Sequence, residues 1–80
     1  MGKVTYLDWK RETVRKHKGI DKTETSSMNQ YGEYTKTYIL GDGTIMIEEN
    51  RPEWRDGVKW FTTEAYTSKN PVSVIFREKW

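Results

Sequence analysis

Residues 31–50 read YGEYTKTYILGDGTIMIEEN, and the way they pair decides the fold. Apolar and polar side chains alternate on both sides of Asp42-Gly43, the signature of a β-hairpin. A two-residue type I′ turn centred on Asp42 and Gly43 pairs Leu40 with Ile45, Ile39 with Met46, Tyr38 with Ile47, Thr37 with Glu48 and Lys36 with Glu49. This register gathers Leu40, Ile45, Tyr38 and Ile47 on a core face. It leaves Ile39, Met46, Thr37 and Glu48 on a mostly wet one. Glu48 and Glu49 are neighbours on a strand, so they point to opposite faces and cannot act together on one substrate.

Moving toward the C-terminus, residues 50–57, NRPEWRDG, read as a break in the sheet. Pro52 cannot donate to a ladder, and Asp56-Gly57 is a second turn signal. Two more strands follow, at about 58–67 and 72–79, joined by Ser68-Lys69-Asn70-Pro71. Pairing Thr67 with Val72 brings Ala65 opposite Val74, Thr63 opposite Phe76 and Phe61 opposite Glu78. One face then holds Phe61, Ala65, Val72, Val74 and Phe76, the expected core side. The other holds Trp60, Thr62, Glu64, Tyr66, Ser73, Ile75, Arg77 and Lys79, with Trp60 facing Lys79. If a helix covers that second side, Trp60, Tyr66 and Ile75 are core, the expectation for Trp60; if it stays open, they form a recognition surface. Trp54, placed in the turn, stands where loops meet solvent.

Moving toward the N-terminus, TYLDWKRETVRKHKG predicts a helix. Thr5 caps it, Asp8 completes a capping box, basic residues crowd the last turn, and Gly19 ends it. Tyr6, Leu7, Val14 and, at the margin, Trp9 share a face with Lys10, Thr13 and His17. A strand over residues 3–7 is the alternative. Residues 20–30 are polar and threonine-rich and read either as an edge strand around 22–28 or as a loop. The fold class is therefore α+β: a single domain with an N-terminal helix packed on an antiparallel β-meander of four or five strands.

The 80 residues suffice for one domain, which at this size buries only about 60% of its unfolded surface. Cysteine is absent, so neither disulfides nor thiolate–metal sites supplement the core. Aromatics at 14% must supply burial in a chain that is 34% hydrophobic and 32% charged. Met1-Gly2-Lys3-Val4 leads into a charged run with no apolar stretch of signal or membrane-spanning length. Together with the lack of cysteine, this makes the cytoplasm the expected location. Net charge is +2 but uneven. Residues 1–22 carry seven basic and three acidic side chains, net +4, whereas residues 23–80 carry seven and nine, net −2.

Little catalytic chemistry fits these residues. The lone histidine, His17, reads as a solvated helix residue. It can form no His-rich metal site, and no local signature accompanies it for a nucleophilic triad. Gly41-Asp42-Gly43 lacks the Lys-Ser/Thr of a phosphate loop and precedes a strand. No enzyme, cofactor or metal is expected. Two binding readings remain. Trp54, Arg55, Trp60, Tyr66, Arg77 and Lys79 are candidates for contact with another protein or nucleoprotein. Lys10, Arg11, Arg15, Lys16, Lys18 and Lys22 are candidates for phosphates, though no RNP, KH or zinc-finger pattern supports them. In size and Lys/Glu/Thr/Tyr-rich composition the chain resembles, in kind, the small accessory proteins of phages and mobile elements. That resemblance implies an inhibitor or adaptor acting by direct binding, with no residue carried over. The expected function is thus a non-catalytic protein-binding module, with nucleic-acid binding through the basic N-terminal helix as the alternative.

Overall fold

The computed structural model describes residues 5–80. Helix α1 spans Tyr6–Lys16, followed by strands β1 (Ile20–Thr25), β2 (Tyr34–Leu40), β3 (Ile45–Arg55), β4 (Val58–Thr67) and β5 (Val74–Lys79). The strands form one antiparallel sheet in sequence order, a five-stranded meander. One helix on one sheet gives a slab of 42 × 36 × 18 Å.

The helix begins as its sequence dictates. Thr5 Oγ1 accepts from the Asp8 amide, and the Asp8 carboxylate accepts from the Thr5 amide, satisfying two helix-end donors reciprocally. Tyr6 and Leu7 are therefore helical rather than strand; residues 3 and 4 of the alternative strand lie outside the described residues. At the other end, His17 caps the helix, and Lys18 and Gly19 turn the chain with positive φ. Strand β1 is the polar edge strand, exposed along its whole length and displaced by one residue at Asp21, where its pairing with β2 is irregular.

The central hairpin forms, but one residue out of the expected register. Tyr38 pairs with Met46 and Thr37 with Ile47. The loop contains three residues: the Gly43 amide donates to the Leu40 carbonyl, and the Leu40 amide donates to the Thr44 carbonyl. Gly43 has φ +86°, so this is a type I turn followed by a left-handed glycine. The extra loop residue exchanges the faces of β3. Tyr38, Leu40, Met46 and Glu48 now share the helix side, whereas Ile39, Ile45 and Ile47 share the other. The two-residue type I′ turn occurs instead at Asp56-Gly57, where φ is +52° and +73°.

Residues 50–57 do not break the sheet. β3 continues through Pro52, which pairs with Phe61 of β4 and lies past Asn50, the last β3 residue paired with β2. A proline there costs no ladder bond on the vacant side. Trp54 is accordingly a strand residue, not a turn residue, and pairs with Lys59. The β4–β5 register matches expectation, with Ala65 facing Val74, Thr63 facing Phe76 and Phe61 facing Glu78. Val72, expected in the core, precedes β5 and is exposed.

The interior is unusually polar. Tyr38, Leu40, Met46 and Ala65 are its buried apolar residues, with Trp9 and Val14 of α1 packed against the first three. Thr44, Thr62, Thr63, Thr67, Asn50 and Glu48 are buried as well. Glu48 Oε1 accepts from the hydroxyls of Tyr6 and Tyr38, the latter at 2.9 Å, and lies 4.0 Å from Lys10 Nζ. Oε2 accepts from Asn50 Nδ2 at 2.8 Å, and Asn50 Oδ1 accepts from Thr63 at 2.9 Å. Glu48, Asn50 and Thr63 thus satisfy one another, which is what makes such a network tolerable in a small core, whereas the buried Thr62 hydroxyl has no hydrogen-bond partner among the described residues.

The helix C-terminus is bound to the hairpin loop. The Gly41 amide donates to the Gly19 carbonyl (2.9 Å), and the Asp42 amide donates to the His17 carbonyl (3.1 Å). His17 Nδ1 lies 2.7 Å from Asp42 Oδ2, with the His17 side chain only 14% exposed. His17 is therefore a docking residue, contrary to the solvated reading.

These contacts set a pH window. Burial opposes ionisation of Glu48, but hydrogen bonds from Tyr6, Asn50 and Tyr38 and the Lys10 charge outweigh it and hold the carboxyl below its usual range. Asp42 is held low by Thr44 and then His17. Tyr6 and Tyr38 are pushed up by burial and by Glu48. Depressed carboxyls contribute stability above their unfolded values, around pH 4, and lose it as pH falls through their folded ones. Raised phenols contribute below about pH 10 and lose it as pH rises from there. The thermal midpoint, followed by circular dichroism, should be flat between roughly pH 6 and 9 and fall on both sides. In Asp42→Asn the acid fall should be shallower.

Candidate functional site

Helix α1 covers the Phe61 and Ala65 side of the sheet, not the Trp60 side. It does so because the faces of Tyr38, Leu40, Met46 and Val74 are the ones that meet Trp9, Val14 and Tyr6. Trp60 is therefore not core beneath the helix. It is half-buried on a five-stranded face that no other described element covers.

That open face is organised in cross-strand rows. At the hairpin end, Ile39 pairs with Ile45, and Thr37 with Ile47, which in turn pairs with Tyr66. Ile75 lies on the same face beside Glu64. Ile39, Ile45 and Ile75 are 39%, 40% and 45% exposed, high values for isoleucines sharing one sheet face. A charged band crosses the middle. Arg51 bridges Glu64 at 3.1 Å and Glu53 at 3.6 Å, and Arg77 reaches Glu53 at 3.6 Å. Thr62 lies fully buried in this band, between its strand partners Arg51 and Arg77. Tyr66 donates to Glu49 at 3.4 Å; partial desolvation and then the Glu49 charge push its phenol up.

At the far end, Arg55, Asp56, Val58, Trp60 and Arg77 line a shallow cleft of about 260 Å³. Lys79 lies opposite Trp60. The structure thus brings Arg55, Trp60, Arg77 and Lys79 together and places Tyr66 further along the same face. Trp54 is 70% exposed but belongs to the helix side, so it is not part of this surface. Ile39, Ile45 and Ile47 are the members that sequence reasoning missed. Their clustering depends on the three-residue loop.

The basic candidates divide. Lys10 turns inward, donating to Tyr38 Oη at 2.8 Å. Lys22 lies on β1, paired with Glu24 at 3.0 Å. Arg11, Arg15, Lys16 and Lys18 remain exposed around the outer helix and its end. Among the described residues, no three histidines or carboxylates converge on a point where a metal ion would sit. None of the helices there is long and apolar enough to cross a membrane.

These features define an α+β domain with a one-sided sheet. Comparison with known protein families, curated proteins and solved structures gives no match.

Proposed function

We propose that the chain is a small non-catalytic protein-binding module that docks its partner on the open face of the sheet. The carrying observation is that face itself: five strands wide, with Ile39, Ile45, Ile47, Tyr66, Ile75, Val58 and Trp60 turned away from the core. Apolar side chains gathered on an uncovered sheet face in this way are a usual mark of an interaction site. Apolar and aromatic positions at the two ends, with a charged band between, match the mixed make-up of protein interfaces. Arg55 and Lys79 make no ion pair among the described residues and flank Trp60. The partner that fits is a protein surface with an apolar centre and carboxylates opposite the Trp60 end. A module that occupies such a surface without chemistry of its own acts as an inhibitor or adaptor, as in small phage-type accessory proteins. Two of the six basic candidates, Lys10 and Lys22, are engaged within the chain, which favours this reading over a nucleic-acid partner.

The test uses a partner recovered from nuclease-treated lysate and purified. Trp60→Ala and Ile75→Asp should each weaken its binding by about 2 kcal/mol, roughly thirtyfold, while keeping the wild-type thermal transition. Charge reversal at Arg15 and Lys16 should leave affinity nearly unchanged. In a parallel titration with a single-stranded oligonucleotide, binding that survives both face variants yet fails on charge reversal, and whose log Kd rises linearly with log salt, would establish the nucleic-acid alternative instead.

A further inference from the structure

We propose that a second site, on the helix side of the sheet, binds an organic cation: the ammonium or guanidinium group of a basic side chain on a partner peptide. The site is a cleft of about 330 Å³ between the start of α1 and the end of the sheet that α1 leaves uncovered. Its floor is a cross-strand row, Tyr34, Asn50, Thr63 and Phe76, one residue from each of β2 to β5. Tyr6 stands over one side, with its ring 5.8 Å from that of Phe76, and Phe61 and Glu78 form a facing pair on the other.

Three observations point to a cation. First, among the described residues the lining contains four aromatic rings and two carboxylates, Glu48 and Glu78, and no lysine or arginine, in a chain of net charge +2. Ring faces and carboxylates both attract a positive group. Second, the buried polar atoms at the floor are disposed as acceptors. Glu48 Oε2 receives one hydrogen bond, from Asn50, and Asn50 Oδ1 receives one, from Thr63. Each oxygen can accept another. Third, the same chemistry already operates on the opposite side of Glu48. Lys10 Nζ sits 4.5 Å from the Tyr38 ring centroid and 5.9 Å from that of Tyr6, within 4.0 Å of Glu48 Oε1. The cleft offers an incoming cation what the fold gives Lys10: rings on the sides and a buried carboxylate at the end. The volume is at the small end of ligand pockets and suits one side chain rather than a cofactor. The cleft is on the opposite side of the sheet from the open face, so it does not depend on docking there.

The probe is Nα-acetyl-lysine methylamide, titrated into the ¹⁵N-labelled chain, with its Nε-acetylated form as the neutral counterpart. The amides of Tyr6, Leu7, Asn50, Thr63 and Phe76 should shift and saturate, with half-saturation at about 1–10 mM, the range expected for one desolvated side chain. The neutral probe should bind at least about tenfold more weakly. Glu78→Gln, at an exposed position, and Phe61→Leu, which keeps apolar volume but removes the ring, should each weaken the cationic probe about threefold or more. Equal binding of the two probes would overturn the proposal, as would shifts centred on Glu49 and Glu64 of the open face. So would an affinity untouched by both variants, or the lack of saturation by about 50 mM.

Discussion

Glu48→Ala is expected to cost about 3–5 kcal/mol, because it removes the shared acceptor of a buried network and leaves its donors behind. The hydroxyls of Tyr6 and Tyr38, the Asn50 amide and the Lys10 ammonium all converge on that carboxylate. Without it, the Tyr6 and Tyr38 hydroxyls and the Asn50 amide lose their acceptor, and Lys10 keeps only its bond to Tyr38 Oη. A domain of this size has a total stability of roughly 4–12 kcal/mol, so the loss removes much of it. The thermal midpoint should fall by about 15 °C or more. Glu48→Gln, which keeps the shape and one acceptor oxygen, should cost less, about 1–3 kcal/mol. If Glu48→Ala melts within a few degrees of wild type, the network is not what holds α1 to the sheet.

Gly41→Ala is the second large effect, and it is steric. A Cβ at this position would lie 2.0 Å from the Lys18 carbonyl oxygen and 2.8 Å from its carbon, both backbone atoms that cannot swing aside. The chain at Gly41 has no positive φ, so conformational preference is not at issue. The helix end must lift off the hairpin loop. The bonds from Gly41 and Asp42 to the Gly19 and His17 carbonyls break with it, as does the His17–Asp42 contact. Overpacking of about 1–3 kcal/mol plus two lost hydrogen bonds gives roughly 3–5 kcal/mol. Gly43→Ala is the internal comparison. Nothing lies within 4 Å of its Cβ position, and only its left-handed φ of +86° resists, at about 1–2 kcal/mol. Chemical denaturation of the two variants should therefore rank Gly41→Ala well below Gly43→Ala, and the reverse order would refute the close docking of helix end and loop.

Much of this architecture was legible in the sequence, and the failures have physical causes. The capping box at Thr5 and Asp8 is a local motif that needs no tertiary knowledge. The β4–β5 register followed from one alternating pattern and one turn, and it correctly put Arg77, Lys79 and Trp60 on one face. The central hairpin misled because β2 and β3 are apolar on both faces near the loop. Leu40 and Ile39, or Met46 and Ile45, serve either register equally well, and Gly41-Asp42-Gly43 closes a loop of two residues or of three. Pro52 looked like a break because a sequence does not show which side of a strand is vacant. The choice of face for α1 depended on the hairpin register, so Trp60 was expected under the helix and is instead on the open side. The cleft formed by Tyr6, Tyr34, Phe61 and Phe76 draws one residue from each of four elements, and no spacing along the chain announces it.

Threonines, Asn50 and Glu48 occupy much of the interior that leucine, isoleucine and valine fill in most small domains, while the isoleucines of β2, β3 and β5 remain outside. Unfolding therefore exposes comparatively little new hydrocarbon and a good deal of new polar surface. Hydrocarbon exposure raises the heat capacity by about 0.45 cal/mol/K per Å², whereas polar exposure lowers it by about 0.26. Calorimetry of this fold is accordingly expected to give a heat-capacity increment below the usual ~12–15 cal/mol/K per residue. A smaller increment would flatten the stability curve into a broad, shallow dome, with nearly constant stability across temperatures at which more oil-filled domains of equal size pass through a pronounced optimum.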